Sequence, residues 1–264
     1  MLTPRTFFDT IPSRLAPLFD RDLPVWEALR RLPSFLEQQA GEQIPRSLCS
    51  GRGLTDHVVL HQGRIVMEPT DIVFDDATKG RLLVSSGGIL LEGATVIMAG
   101  AVLIGNGIVL GRGVLVESGA MIKGPVWIGD CTEIRQGAYV RGNCATGDRC
   151  VLGHTTEIKN TIFLDDAKAG HFAYLGDSIL GNRVNLGAGT KLANLRFVPG
   201  TVSVKTSDSS VDTGLRKLGA IMGDDVQTGC NSVTNPGTLL QPRCMLFPNT
   251  TSPSGVHRKG SMIR

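Results

Sequence analysis

The sequence predicts an all-β protein built as a parallel β-helix, and three features of its middle third support this fold. Large aliphatic residues recur every six positions, with a single threonine in the series, at Met98, Ile104, Leu110, Val116, Ile122, Ile128, Ile134, Val140, Thr146, Leu152, Ile158 and Leu164. Small or β-branched residues, such as Ala120 and Cys144, stand two positions earlier, and glycine often follows, as at Gly129 and Gly147. A period of six fits neither an α-helix nor a plain strand, but it fits short strands of which three complete one coil.

The composition suits such a prism and argues against several other classes. Glycine is abundant, with 33 residues against 13 prolines, as expected for a chain that turns at every sixth position. The chain lacks an apolar run of about eighteen residues and a basic-then-apolar leader, so we expect a cytoplasmic protein without a membrane span. Cys144, Cys150 and Cys244 fall at inward positions and no Cys-x-x-Cys pair occurs, which predicts packing and no metal centre. A net charge of +3 permits an anionic small molecule and does not indicate nucleic acid.

Outside the regular repeat, the sequence divides into a helical N-terminal segment, residues 1–50, and a β-helix domain, residues 51–264. In the first, residues 23–32 have the apolar spacing of an amphipathic helix, and a second helical turn is predicted over residues 34–39 with a cap near Gly41. In the second, the six-residue beat slips between 170 and 179. It stops over residues 195–217, which predicts a projecting loop that could form a hairpin. Such an interruption suggests a loop that reaches a functional site or a partner subunit, and a neutral surface insertion is the alternative.

A prism filled with its own side chains has no deep internal pocket. A ligand is therefore expected to bind outside it, in a groove between neighbouring prisms of an oligomer. Polar residues that cluster in sequence around the slip are the natural candidates, namely Arg141, Glu157, Lys159, His171, Tyr174, Asp177, Asn185 and Asn194. Taken one by one, each would be interpreted as an ordinary surface residue.

A specific pattern connects them. The chain resembles the acetyltransferase domain of bacterial glucosamine-1-phosphate acetyltransferase/N-acetylglucosamine-1-phosphate uridyltransferase through three segments: EIKN at 157–160, KAGHFAYLGD at 168–177 and NLGAGT at 185–190. The continuation is more similar to the archaeal sugar-1-phosphate acetyltransferases of the same superfamily, through ANLRF at 193–197 and GLRKLGA at 214–220. The resemblance covers roughly residues 95–250 and implies a left-handed β-helix of hexapeptide repeats. The nucleotidylyltransferase domain of those enzymes and its glycine-rich loop have no counterpart here, so uridyl transfer is not expected.

The resemblance implies that His171 is the general base. An amino sugar is largely an ammonium ion at neutral pH and must lose a proton before it attacks a thioester, and a neutral imidazole suits that abstraction. It also implies that Arg141 and Lys159 bind phosphate. Because they are eighteen residues apart, they are predicted to stack on one face of consecutive coils, within reach of a single phosphate. A corner histidine and solvated surface charges are the alternatives.

Four further positions match the family less directly. Glu157 and Asn185 match residues that hydrogen-bond the sugar or its amine, and Tyr174 matches one that packs and bonds beside the phosphate. Asn194 matches an asparagine near the reacting carbonyl, where an amide could steady the substrate or an oxyanion. Local turn bonding is the alternative for all four.

The resemblance also implies acetyl-CoA as the co-substrate, lying along the prism edge, with Ala188 and Cys230 at the family's contact positions. Cys230 is not expected to act as a nucleophile, because no adjacent base is apparent in the sequence. One departure concerns the loop after Asn194, where Gly200 stands in place of a phosphate-binding lysine of the bacterial enzymes. The basic residues that could substitute for it are Lys191, Lys205, Arg216 and Lys217.

The sequence therefore predicts an N-acetyltransferase that transfers acetyl groups directly from acetyl-CoA to glucosamine-1-phosphate or galactosamine-1-phosphate. It is expected to be a homotrimer, to need no metal for acetyl transfer and to bind neither nucleic acid nor membrane. Two rivals stay open: a non-catalytic sugar-nucleotide-binding or assembly subunit, and an acyltransferase on a nucleotide-linked amino sugar. A metal enzyme of the γ-carbonic-anhydrase type is disfavoured, because the histidines other than His154 and His171 are remote in sequence.

Overall fold

The computed structural model describes residues 2–39 and 44–264, and in these ranges most strands wind into a parallel β-helix. Three long sheets of 11, nine and eight strands form its faces. We call them sheets I, II and III in the order in which each coil visits them. The predicted left-handed parallel β-helix is confirmed, with about nine turns.

The strands of each face, given in the order in which they pair, are as follows. Sheet I consists of Arg64–Ile65, Val58–His61, Thr95–Ile97, Leu115–Val116, Glu133–Ile134, Val151–His154, Lys168–His171, Asn185–Leu186, Gln227–Thr228, Met245–Leu246 and Met262–Ile263. Sheet II consists of Ser50–Gly53, Val102–Ile104, Met121–Lys123, Tyr139–Val140, Glu157–Lys159, Tyr174–Gly176, Lys191–Leu192, Val233–Thr234 and Thr251–Ser252. Sheet III consists of Gly255–His257, Thr238–Leu240, Ala220–Met222, Ile179–Leu180, Thr161–Phe163, Cys144–Thr146, Val126–Ile128 and Ile108–Leu110.

The interior of the prism is a single apolar core of inward-facing aliphatic residues. Cys144, Cys150 and Cys244 lie within it and are fully buried, as the sequence predicted. Burial raises the pKa of the Cys144 thiol to about 12, because a thiolate would lose its hydration there. These cysteines therefore serve packing.

The predicted six-residue frame is wrong at its beginning. Leu103 is fully buried, whereas the predicted position, Ile104, is partly exposed. Ile122 pairs with Leu103, 19 residues earlier, although most later coils repeat after 17 or 18. The extra residue lies in the turn at residues 105–107, whose two glycines have positive φ. The core positions therefore move by one residue, from Met98 to Ile97 and from Ile104 to Leu103.

The predicted slip between residues 170 and 179 is partly right. Two successive coils are one residue short, because Ile158 pairs with Leu175 and Leu175 with Leu192, 17 residues apart in each case. Both deletions lie at the corner where strands of sheet II end, and the first precedes the predicted region. As a result Phe163 fills the core and Leu164, which was predicted to do so, lies in the apolar cluster outside the prism.

The interruption over residues 195–217 starts at the same corner, one coil later. It contains an antiparallel hairpin of Ser203–Lys205 and Ser210–Asp212, which is the hairpin that the sequence allowed. Val202 and Val204 are buried in the cluster outside sheet III, so the hairpin folds back onto the prism.

One α-helix occurs in the described residues, Glu27–Gln39, and the predicted amphipathic helix is confirmed in a longer form. It begins later than predicted and runs continuously through Pro33. The cap predicted at Gly41 lies outside the described residues. Leu29 and Leu32 are buried with Ile162 of sheet III, so the N-terminal segment covers that face. Four short 3-10 helices are also described: Pro4–Thr6, Ala16–Leu18, Arg46–Leu48 and Ala77–Lys79.

A small antiparallel sheet covers the beginning of sheet I. Its strands are Asp71–Val73, Leu83–Ser86 and Ile89–Leu90. Its inner residues pack on the outward residues Val96 and Leu115. None of the helices in the described ranges is both long and apolar enough to cross a bilayer.

Candidate active site

Sheet II is the open face of the prism, and the predicted site residues lie along it or at its two corners, except Asn185. Ile158 is buried in the core, so its neighbours Glu157 and Lys159 point outward by strand alternation. Tyr174 pairs with Glu157 in the next coil and is also outward. The site therefore has to be built on the outside of the prism, as the sequence predicted.

The corner between sheets I and II brings together the predicted base and the two predicted cofactor contacts. His171 ends a strand of sheet I, and its carbonyl accepts a hydrogen bond of 3.0 Å from the Gly189 amide. The carbonyl of Ala188 accepts one of 2.8 Å from the Asn231 amide. His171, Ala188 and Cys230 therefore occupy equivalent positions in three successive coils.

The imidazole of His171 is exposed at this corner. In the described residues it makes no side-chain hydrogen bond, and its nearest ring is that of Phe172, 6.3 Å away between centroids. His154 lies one coil earlier in register, but its Nδ1 is 2.9 Å from the carbonyl of Gln136. Of the two stacked histidines, His171 is thus the one whose ring nitrogens are available to a ligand.

The corner between sheets II and III carries the two predicted phosphate ligands. The Arg141 amide donates a 2.9 Å hydrogen bond to the Ile158 carbonyl, which places Arg141 directly beside Lys159 in the next coil. The predicted stacking is confirmed. The guanidinium of Arg141 donates through Nη1 to Glu157 Oε1 at 2.6 Å, and this hydrogen bond raises the pKa of Arg141. Both side chains of this pair are partly exposed, so a competing anion can reach the guanidinium.

Asp177 is the centre of a buried polar network at the same corner. Its carboxylate is nearly inaccessible, with 6% of the residue exposed. Oδ1 accepts a 2.8 Å hydrogen bond from Asn160 Nδ2, and Oδ2 accepts one from Asn194 Nδ2. The ammonium of Lys159 lies 4.0 Å from Oδ2. Asp177 therefore anchors three side chains at one corner, two from the preceding coil and one from the following coil.

Asn194 is a link in this network and not a free donor at the surface. It is buried, and its amide group contacts both Asp177 and the Tyr174 hydroxyl. Burial is the main reason why the pKa of Tyr174 is raised. A Cβ at Gly176 would lie 2.8 Å from the Tyr174 oxygen, so only glycine leaves room for these side chains. The H-x-x-Y-x-G-D segment thus has a structural reason for its glycine.

Asn185 lies apart from the phosphate-binding corner. It is exposed on sheet I and pairs in register with Lys168, three residues before His171. A three-residue strand of sheet II, about 10 Å long, separates the two corners. Asn185 and His171 are therefore on one side of that strand, and Arg141 and Lys159 are on the other.

Asp177 is among the candidates predicted from the sequence, without an assigned role, and Asn160 occurs only within the EIKN segment. Polar residues recur at a spacing of 17 in consecutive coils, at 160, 177 and 194. This spacing is the signal from which the network could have been predicted. Since these positions follow the ends of successive strands of sheet II, they meet at one corner. In residues 2–39 and 44–264, no group of three or more histidine, cysteine or acidic side chains is arranged to hold a metal ion.

Comparisons with known proteins agree with this architecture. The sequence model of the family described as "GMPPB C-terminal domain" matches residues 122–246. A bifunctional sugar-1-phosphate nucleotidylyltransferase/acetyltransferase of Sulfurisphaera tokodaii is 34% identical over 145 residues, which cover 48% of this chain and 36% of that protein. The bifunctional protein GlmU of Methanocaldococcus jannaschii is 37% identical over 109 residues, covering 41% and 26% respectively. The matched region thus spans between about a quarter and about a third of the length of these relatives.

Among solved structures, a perosamine N-acetyltransferase variant from Caulobacter crescentus, in complex with CoA and GDP-perosamine, is 22% identical and covers 60% of this chain and 52% of its own. Its TM-score of 0.28 is too low to carry an argument about function. The match to the sequence family is more informative, because residues 122–246 contain the coils with both corners of sheet II. The sequence comparisons confirm that the β-helical part of this chain resembles the hexapeptide-repeat domain of sugar-1-phosphate nucleotidylyltransferase/acetyltransferases.

Proposed function

We propose that this chain is an N-acetyltransferase that uses acetyl-CoA to acetylate an amino-sugar 1-phosphate, glucosamine-1-phosphate or galactosamine-1-phosphate. The observation that carries the proposal is the pairing of two corners across one open strand. An accessible imidazole, His171, stands on one side, and two stacked cations, Arg141 and Lys159, stand on the other. The sugar spans the strand between them, with its phosphate at the cations and its amine at the imidazole.

The phosphate binds to Arg141 by displacing Glu157, which is a weak partner. The Arg141–Glu157 pair is partly exposed, and such pairs contribute about 0–1 kcal/mol. A phosphate dianion accepts stronger, bidentate hydrogen bonds from a guanidinium, and the Lys159 ammonium adds a second charge. Glu157 is then free to accept hydrogen bonds from the sugar hydroxyls or the ammonium group. Asn185 lies on the imidazole side, where it suits the amine end of the sugar.

The reaction is a direct transfer. His171 accepts a proton from the substrate ammonium, and the neutral nitrogen attacks the thioester carbonyl of acetyl-CoA. The tetrahedral intermediate collapses as its nitrogen loses a second proton, and the carbon–sulfur bond breaks. The CoA thiolate takes up that second proton, and the first proton passes from His171 to solvent. The Asn194 amide is already bonded to Asp177, so its role is to hold Asp177, Tyr174 and thereby Lys159 in place.

Acetyl-CoA lies along the corner between sheets I and II, beside Ala188 and Cys230. These positions continue the column of His171 in the next two coils, so the thioester end can meet the imidazole while the remainder follows the column. Cys230 is exposed, yet the described residues offer it no hydrogen-bonded histidine or carboxylate that would activate it. An acyl-enzyme is therefore not part of the mechanism.

The groove is completed by a second prism in a homotrimer. Sheet III is covered by the N-terminal segment and the beginning of sheet I by the small antiparallel sheet, which leaves sheet II and the rest of sheet I for assembly. Leu195, Phe197 and Val198 are exposed next to the phosphate-binding corner, and Phe172 is exposed beside His171. Apolar side chains in these positions favour contact with another copy of the chain.

The test is release of CoA with glucosamine-1-phosphate, galactosamine-1-phosphate and glucosamine-6-phosphate as acceptors. We expect turnover on a 1-phosphate, and His171→Ala should lower kcat by about 10²–10⁴, since a general base contributes that much. His154→Ala is the matched control, because it removes the neighbouring histidine of the same corner and should change kcat less than about twofold.

Three outcomes would contradict the proposal. No turnover with any amino sugar would favour the non-catalytic subunit. Equal losses in the two histidine variants would remove the base assignment, and loss of activity in Cys230→Ser would favour an acyl-enzyme. Light scattering tests the trimer independently, and a stable monomer would contradict it.

A further inference from the structure

A second groove lies over sheet III. It has a volume of about 690 Å³ and lies where the hairpin at 203–212 meets the last coils of sheet III and the N-terminal segment. The site proposed above does not use it, and the proposal below does not depend on that function. The groove is lined by Leu2, Pro24, Trp26, residues 205–209, Val211, Gln241 and residues 254–258.

The groove is built by close backbone approach and is not a chance gap between loops. Gly255 has a φ of 112°, and a Cβ there would lie 2.9 Å from the Lys205 carbonyl. A Cβ at Gly237 would lie 2.8 Å from a methyl group of Val202. Two glycines of successive coils therefore seat the hairpin against sheet III, and this contact fixes the position of Lys205 at the rim.

Two cations face the groove without a partner. Lys205 and Arg258 are both exposed, and neither forms an ion pair with any residue in 2–39 or 44–264. Asp208 is the acidic residue in the lining, and it accepts a hydrogen bond from the Ser207 hydroxyl at 2.9 Å. The ring of His257 is already in contact with the Ser252 hydroxyl and the Pro253 carbonyl. The free charge at the rim is therefore positive.

Part of the groove wall is apolar. Val211 is 38% exposed and Val256 is half-buried, and both line the groove next to Trp26. A volume of this size suits a small organic ligand, and apolar walls with a few polar groups are typical of such sites. The ligand should therefore combine an anionic group, an apolar ring and hydroxyl donors for Asp208.

We propose that this groove binds a nucleoside diphosphate. The diphosphate lies between Lys205 and Arg258, which supply charge-assisted hydrogen bonds. The base lies against Val211 and Val256, and the ribose hydroxyls donate to Asp208. The hairpin thereby gains a binding role that is separate from the open face.

The experiment is calorimetric titration of the full chain with UDP, GDP and inorganic phosphate. Lys205→Ala and Arg258→Ala should each weaken diphosphate binding about tenfold or more, because each removes a hydrogen bond to a charged group. Lys259→Ala is the matched control, since it removes one positive charge from the same coil outside the groove, and its affinity should stay within about twofold of wild type. Thermal unfolding of each variant checks that the fold is intact.

Substitutions in the proposed active site separate it from this groove. His171→Ala and Arg141→Ala should bind UDP and GDP like wild type. The proposal is overturned by absence of diphosphate binding, by equal affinities in wild type and the two groove variants, by weaker binding in Arg141→Ala, or by equal affinity for inorganic phosphate. That last result would mean that the apolar wall contributes nothing.

Discussion

Sheets II and III are neighbouring faces of one prism and follow one repeat, yet their outward residues differ in kind. From sheet III they are apolar and buried, at Ile162, Ile179, Ile221 and Leu239. From sheet II they are Tyr139, Glu157, Tyr174 and Lys191, and none of them is buried. The inward residues of a hexapeptide determine the prism, and the outward residues determine whether a face is covered by the chain or left for a ligand.

The corner between these two faces is where the repeat is altered. Two coils are one residue short there, and the next coil carries the insertion that contains the hairpin. The insertion covers sheet III and leaves sheet II open. The buried carboxylate of Asp177 lies at this boundary. The backbone carbonyl of Asp177 accepts a hydrogen bond from the Gly219 amide, where the insertion rejoins the prism. One corner therefore joins the covered face to the proposed site.

The largest effect on stability is expected from weakening the contact between the N-terminal helix and sheet III. Leu32→Ala removes a fully buried side chain between the helix and sheet III and should lower the free energy of unfolding by about 2–5 kcal/mol. Alanine is a good helix former, so the loss reports packing and not helix propensity. Denaturant unfolding followed by circular dichroism measures it.

Met121→Ala is the control on the open face. Met121 is a half-buried outward residue of sheet II, and its loss should cost no more than about 1 kcal/mol. A cost as large as that of Leu32→Ala would mean that Met121 lies in a contact between copies of the chain and not on the open part of sheet II.

A smaller effect is expected at the corner itself. Asp177→Asn places an NH₂ group opposite the Asn160 or Asn194 amide, so one donor loses its acceptor and the protein should lose about 1–3 kcal/mol. Because Lys159 also loses its partner, the KM for the amino-sugar phosphate should rise about tenfold while kcat changes less. Steady-state kinetics and unfolding together measure both changes.

Asp166→Asn provides the matched control. Asp166 and Asp177 are both aspartates in the left-handed region, with φ of 61° and 50°, and asparagine tolerates that conformation. Asp166 pairs with Arg149 on the surface of a different corner. If Asp166→Asn changed KM as much as Asp177→Asn, the effect on KM would not be specific to the Asp177 network.

The prism could be predicted from the sequence because its inward residues repeat, and the stacking of Arg141 on Lys159 followed from that period. The errors in the prediction from sequence were local. A single extra residue near Gly105 displaced Met98 and Ile104 from the core, since period counting does not detect where a turn is lengthened. The network of Asp177 was missed because its members are brought together by shortened coils and not by a six-residue spacing.

A third effect tests the open face directly. Arg141→Ala, Glu157→Ala and the double variant form a cycle whose coupling in unfolding free energy should be below about 1 kcal/mol, because the pair is partly exposed. The same Arg141→Ala should weaken binding of the sugar phosphate about tenfold, since a charge-assisted hydrogen bond is lost. Strong coupling in stability with no change in affinity would make this pair purely structural.

The smallest effect concerns the corner between sheets III and I, where Asp130, Asp148 and Asp165 form a column. The backbone amide of Asp130 donates to the Asp148 carboxylate at 2.8 Å, and that of Asp148 donates to the Asp165 carboxylate at 2.9 Å. Burial, followed by the two neighbouring carboxylates, raises the pKa of Asp148. A raised pKa means that the folded state holds the proton more tightly, so ionised Asp148 costs stability at neutral pH and this cost disappears as the pH falls through its pKa.

Asp148→Asn keeps an oxygen that can accept from the Asp130 amide and removes the charge. It should stabilise the protein slightly at pH 7, by less than about 1 kcal/mol because the carboxylate is partly hydrated. The gain should vanish as the pH falls toward about 4 and below, where Asp148 is protonated in both states. Urea unfolding at pH 7, 5 and 4 measures the difference. A gain that grows on acidification would show that Asp148 is held ionised by its neighbours.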